Sequence, residues 1–81
     1  MNYLYILKSA KNSRYYVGST NDLDRRLAEH DRGKTKYTKY AGPFDLVYQE
    51  KFDTLKQARQ REYQIKKLKS RKYIEYLIAG D

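Results

Sequence analysis

Eighty-one residues without a cysteine exclude a disulfide framework, a thiolate metal centre and a cysteine nucleophile, and the lone His30 excludes a multi-histidine metal site. A formal net charge of +8, from 18 Lys and Arg against 10 Asp and Glu, favours a polyanionic partner over a neutral one. The length suits a single domain over residues 1–81, no apolar run approaches the ~18 residues of a membrane span, and the N-terminus lacks the pattern of a signal peptide, so the expectation is a cytoplasmic protein.

Tyr3-Leu4-Tyr5-Ile6-Leu7 is too short for an independent helix and rich in β-formers. Apolar groups fall on both parities, which predicts a strand covered on both faces. Lys11-Asn12-Ser13 is turn chemistry, and Tyr15-Tyr16-Val17 returns as the partner strand, with Gly18 at its end. Asn21 or Asp22 can cap a helix that runs to about Asp31 and stops before Gly33. Leu23 and Leu27 make its expected buried stripe, and Arg26 and His30 lie one turn apart at the edge of that stripe. On their own, Arg26 reads first as a salt-bridged or surface residue, and His30 as a satisfied histidine near the core.

From Arg32 to Pro43 the chain reads RGKTKYTKYAGP, a loop whose Lys34, Lys36 and Lys39 are candidates for phosphate contact. Phe44 to Phe52 reads as a third strand. Thr54 and Gln57 fit a capping box that opens a second helix. Leu55, Ala58 and Ile65 fall on one side of it, and Glu62 falls between them. An acid inside an apolar stripe is costly unless it is paired or binds a cation. Ser70 can cap a last helix, Arg71 to Ala79, packed through Tyr73, Ile74, Leu77 and Ile78 and ended by Gly80. Between Lys56 and Lys72 the basic residues, Lys66 and Lys67 among them, face a single acid, Glu62. Lys66 and Lys67 are therefore further candidates for nucleic-acid contact. Ten tyrosines could stack on bases, or merely pack a small core.

Should the sheet end, the first helix and Glu62 converge, the site would hold a carboxylate, an arginine, phenols and a histidine in a positive field. That kit suits phosphodiester hydrolysis. Oxygen ligands favour Mg²⁺ or Mn²⁺, an arginine can steady charge on the phosphoryl group, and a phenol can take a proton from water.

The residues also resemble the GIY-YIG nuclease domain over nearly the whole chain. Tyr3-Leu4-Tyr5 is similar to the first half-motif, with Tyr3 for its glycine and Leu4 for its isoleucine. Tyr16-Val17-Gly18 is similar to the second, with valine for isoleucine. Arg26 matches the family's arginine ten residues after the second tyrosine, His30 its frequent histidine, and Glu62, in an EYQIK context, its metal-binding glutamate. The tail and the KYT segment look most like a small, stand-alone bacterial subfamily of uncharacterised proteins close to the eukaryotic structure-specific resolvase subunit.

The resemblance implies an α+β fold, a three-stranded antiparallel sheet flanked by helices, and a single-metal endonuclease acting on nucleic acid, most readily DNA of branched or damaged structure. It implies Tyr5 or Tyr16 as general base or its assistant, and Arg26 on the scissile phosphate. His30 would touch phosphate or orient a tyrosine, Glu62 would hold Mg²⁺ (or Mn²⁺), and Gly18 would admit close backbone approach. Ser19 stands where the family's repair incision nuclease commonly has a lysine. A nucleic-acid-binding module with weak or no catalysis, or a subunit whose protein partner supplies target recognition, are the alternatives.

Overall fold

The N-terminal apolar run becomes the middle of a sheet. In a computed structural model, which describes residues 1–31 and 43–80, the elements are β1 (Asn2–Ser9), β2 (Tyr15–Thr20), α1 (Leu23–Asp31), β3 (Phe44–Phe52), α2 (Leu55–Leu68) and α3 (Arg71–Ala79). The strands form one antiparallel sheet in the order β2-β1-β3. β1 needs partners on both edges and cover on both faces, and it has them: Leu4, Tyr5, Ile6 and Leu7 are all buried.

The β1–β2 turn is closed by Ser9, whose hydroxyl accepts from the Lys11 and Asn12 amides at 3.1 and 3.2 Å. Ser13 adopts a left-handed φ of 60° within it. β2 runs through Gly18 to Thr20 instead of stopping at the glycine, because Gly18 is paired in the ladder with Tyr5.

Strand alternation sorts the side chains. Tyr5 and Leu7 with Tyr16, Gly18 and Thr20 share one face; Leu4, Ile6 and Lys8 with Tyr15, Val17 and Ser19 share the other. The second face builds the core. Leu4 and Ile6 pack on Ile65 of α2, and Val17, Tyr48, Phe52, Tyr73, Ile74 and Leu77 close around them. α2 starts at the expected box, with the Thr54 hydroxyl accepting from the Gln57 amide and the Gln57 side chain accepting from the Thr54 amide, and it ends on Lys69 in the left-handed region. Ser70 caps α3, which Gly80 terminates at φ 80°. α2 is further tied to β3 and α3 through Arg61, which donates to both Glu50 oxygens and, at 3.0 Å, to the Tyr73 hydroxyl. This clamp fixes the roll of α2 and so the direction in which its neighbour Glu62 points.

α1 serves the first face, although not through the stripe expected of it. Leu23 and Leu27 are half-buried, whereas His30 is buried. The reason is a polar one: His30 has partners on β1, described below, and sits between the helix and the sheet as a hydrogen-bonded group. No helix among the described residues is long and apolar enough to cross a membrane. Lys34, Lys36 and Lys39 lie outside the described residues.

Candidate active site

Tyr5 faces Gly18 directly across the β1–β2 ladder. A Cβ placed on Gly18 would stand 2.4 Å from the Tyr5 hydroxyl, so the phenol lies over the glycine in space that any other side chain would fill. From there the hydroxyl meets α1. Arg26 Nε donates to it at 3.3 Å, and it lies 3.0 Å from His30 Nε2. Arg26 and His30 are one helical turn apart, which is why one phenol can reach both. Arg26 also donates to Glu29 at 3.3 Å. Tyr16, two residues before Gly18 and on its face, packs edge-on against Phe44 at 5.3 Å, and Phe44 in turn meets the His30 ring at 5.9 Å.

Glu62 approaches from the other face. The wheel position that reads as a polar break in an apolar stripe is a half-buried carboxylate at the edge of β2. One oxygen accepts from the Ser19 hydroxyl at 2.6 Å, and the other accepts from Lys66 Nζ at 2.6 Å, one turn along α2. Ser19 is next to Gly18 in an edge strand, so the two half-sites meet around that edge, Tyr5 with Arg26 and His30 on one side and Glu62 with Ser19 on the other. Both open into one cleft of about 740 Å³, lined also by Tyr16, Arg59 and Lys69. Glu62 is its single acid among the described residues.

Burial pushes the Tyr5 phenol above the ordinary tyrosine range; the hydrogen bond and charge of Arg26 pull it part of the way back, while Glu62 adds to the rise. The bond to Tyr5 likewise holds the Arg26 guanidinium more firmly protonated. Among the described residues no three His, Asp or Glu side chains converge as a metal cage. Glu62, with the Ser19 hydroxyl beside it, is the carboxylate the cleft offers to a cation.

Five residues singled out from the sequence, Tyr5, Tyr16, Arg26, His30 and Glu62, thus line one cleft together with Gly18. Lys66 borders it too, paired with Glu62, while Lys67 points to a neighbouring surface where its Nζ lies 5.9 Å from the Tyr63 ring. Ser19 as the partner of Glu62 is what the sequence reading missed. The available signal was parity: as an odd-numbered residue of β2, Ser19 shares the face on which α2, the helix of Glu62, packs.

Residues 1–74 match the family described as the GIY-YIG catalytic domain. The chain belongs to the GIY-YIG family. Its two half-motifs, read here as Tyr3-Leu4-Tyr5 and Tyr16-Val17-Gly18, lie on adjacent antiparallel strands, and it is their last residues that pair as Tyr5 and Gly18. Among GIY-YIG relatives, a UPF0213 protein of Staphylococcus saprophyticus is 40% identical over 79 residues, which cover 96% of this chain and 95% of the relative. The UPF0213 protein YazA of Bacillus subtilis is 44% identical over 77 residues, 90% of this chain and 77% of the relative. The solution NMR structure of a UPF0213 protein from Bacillus halodurans superposes with a TM-score of 0.61 at 42% identity, covering 98% of this chain and 84% of that one. The α+β fold expected from the motifs, a three-stranded antiparallel sheet with helices on it, is therefore the one found.

Proposed function

We propose that this chain is a divalent-metal-dependent endonuclease that hydrolyses phosphodiester bonds in DNA. The observation that carries the reading is the meeting of Tyr5, Arg26 and His30 with Glu62 around Gly18, in one cleft whose other charges are positive. A lone carboxylate beside a hydroxyl suits Mg²⁺ or Mn²⁺, since Mg²⁺ keeps most of its waters and takes one or two carboxylates plus substrate oxygens. Held by Glu62, such an ion supplies charge against the phosphoryl oxygens and makes water more acidic.

The protein's own groups do the remainder. Arg26 spends one N–H on Tyr5 and one on Glu29, and of its five donors the others remain for a phosphate oxygen. The hydrolytic reading uses the tautomer in which the Tyr5 hydroxyl donates to His30 Nε2 and His30 carries its own proton on Nδ1. Burial keeps Tyr5 a neutral phenol at pH 7. It can accept a proton from water only as it passes its own to His30, with Arg26 steadying the oxygen between the two transfers. The water oxygen bonds to phosphorus as the bond to the leaving oxygen breaks, and solvent protonates that oxygen. Tyr5 is therefore the general base in this reading, and Tyr16 helps to shape the cleft.

The test is cleavage of linear and branched DNA in Mg²⁺ by the wild type and by Glu62→Gln. Cutting by the wild type alone is expected; equal background cutting by both overturns the reading. A second reading, a nucleic-acid-binding module of the same fold, is favoured by one observation: Ser19 and Lys66 already engage both oxygens of Glu62. It predicts salt-sensitive binding that Glu62→Gln leaves intact and that neutralising Lys34, Lys36 and Lys39 weakens alike on all sequences. A gain of cleavage on adding a co-purifying protein would instead assign target recognition to that partner.

A further inference from the structure

Tyr15 carries two cations on one ring. Lys8, its direct partner in the β1–β2 ladder, places Nζ 5.7 Å from the ring centroid, and Arg71 of α3 places Cζ 4.9 Å from it. Arg14 and Lys69 join Tyr15 and Arg71 in lining this end of the same cleft that holds Glu62. The acids near them balance little of this charge. Glu75 stands 3.7 Å from Arg71 with both side chains more than half exposed, and Asp45 faces Lys8 across the β1–β3 ladder. Arg71 and Lys72 also occupy the first turn of α3, the positive end of the helix dipole, where no acid accompanies them. A helix start normally collects anions, so a cation pair there is favourable chiefly when an external anion joins it.

The position is as informative as the charge. The Lys8–Tyr15 pair lies three residues along the ladder from the Tyr5–Gly18 pair. That is ~10 Å at ~3.3 Å per residue, more than a single phosphate group spans. One phosphate group cannot touch both ends of the cleft, but one nucleic-acid strand can.

We propose that Arg14, Tyr15, Lys69 and Arg71 form a second phosphate site that holds the DNA backbone to one side of the bond to be cut. The spacing rests on the hydrolytic reading given above; the affinity for a phosphodiester does not. Binding of a labelled duplex, followed by fluorescence anisotropy in Ca²⁺ across a salt series, tests it. Arg14→Gln and Arg71→Gln should each lower the magnitude of the slope of log affinity against log salt by about 0.9 and weaken binding alike on all sequences. Arg71→Lys should retain the slope. Arg14 is exposed, so its variant reads binding even where Arg71→Gln disturbs the packing of α3.

Wild-type affinity and slope in both glutamine variants would overturn the site. A protein that never cuts DNA yet shows the slope loss keeps this site and loses the hydrolytic reading. One that cuts in a Glu62-dependent way with an unchanged slope loses this site alone.

Discussion

Replacing Lys66 with methionine should tighten the grip of Glu62 on a divalent cation. In the free protein Lys66 Nζ lies 2.6 Å from one Glu62 oxygen, so an incoming cation must displace it or share the carboxylate. The lysine side chain is 55% exposed and the glutamate 22%, which places the pair among solvent-screened helical ion pairs of about 0.3–1 kcal/mol. Losing that competitor alone raises apparent cation affinity about two- to five-fold. Removing a positive charge from beside a divalent ion adds ~2 kcal/mol at most, for a separation near 4 Å in a water-like medium. The hydrated, mobile lysine realises only part of that, so the expected gain is about three- to ten-fold. Methionine keeps the stem that packs along α2, which isolates the charge. Mn²⁺ binding read by electron paramagnetic resonance measures the effect without relying on cleavage. An unchanged or weaker Mn²⁺ affinity in Lys66→Met would refute the competition and leave the ion pair as ordinary surface chemistry.

Gly18→Ala should abolish the site while sparing most of the fold. The added methyl would meet the Tyr5 hydroxyl at 2.4 Å and push the phenol away from Arg26 and His30, at a cost of ~1–3 kcal/mol in stability, readable as a fall in Tm alongside loss of cleavage. Tyr5→Phe keeps the ring over Gly18 and removes the proton carrier, so cleavage should fall ~10²–10⁴-fold, with a much smaller effect expected from Tyr16→Phe; a reversed order would reassign the base. Alkaline stability should depend on Tyr48, whose phenol is pushed up to about 12, first by burial and then by its bond to Glu50. Its folded pKa lies above the unfolded value near 10, so this contribution is present below pH ~10 and is lost as pH climbs toward 12. Tyr48→Phe should flatten the fall of Tm over that window, and an unchanged slope would show that Tyr48 does not couple to folding.

Much of the fold was legible because local chemistry and tertiary structure agree. The capping box of Thr54 and Gln57, the Ser70 cap and the Gly80 stop stand where their side-chain chemistry put them. The doubly buried β1 followed from apolar groups on both parities. Gly18 misled the reading of β2, since a glycine ordinarily ends a strand, while here the Tyr5 ring needs the vacancy and keeps the strand going to Thr20. His30 is the hydrogen-bonded histidine near the core that its place on α1 suggested, and what stayed hidden was its partner, Tyr5 on another element.

Glu62 announced itself as an acid among apolar neighbours, but its bond to Ser19 spans 43 residues, and parity gave only the face of Ser19, not the contact. The same holds for Arg61, which looks like one more surface cation in a basic run and instead locks α2 to Glu50 and Tyr73. Contacts between distant elements depend on the roll of a helix over a sheet, and no residue spacing within either element encodes that roll.

In the proposed nuclease, an edge-strand glycine lets a phenol from one side of the sheet and a carboxylate from the other share a divalent cation's surroundings. A crystal grown with Mn²⁺ and examined by anomalous scattering measures this directly. The ion should be bonded directly to a Glu62 oxygen, with Lys66 turned aside and the Tyr5 hydroxyl opening onto the same water-filled cleft. Anomalous density elsewhere on the protein, with Glu62 still closed on Lys66 at millimolar Mn²⁺, would contradict it.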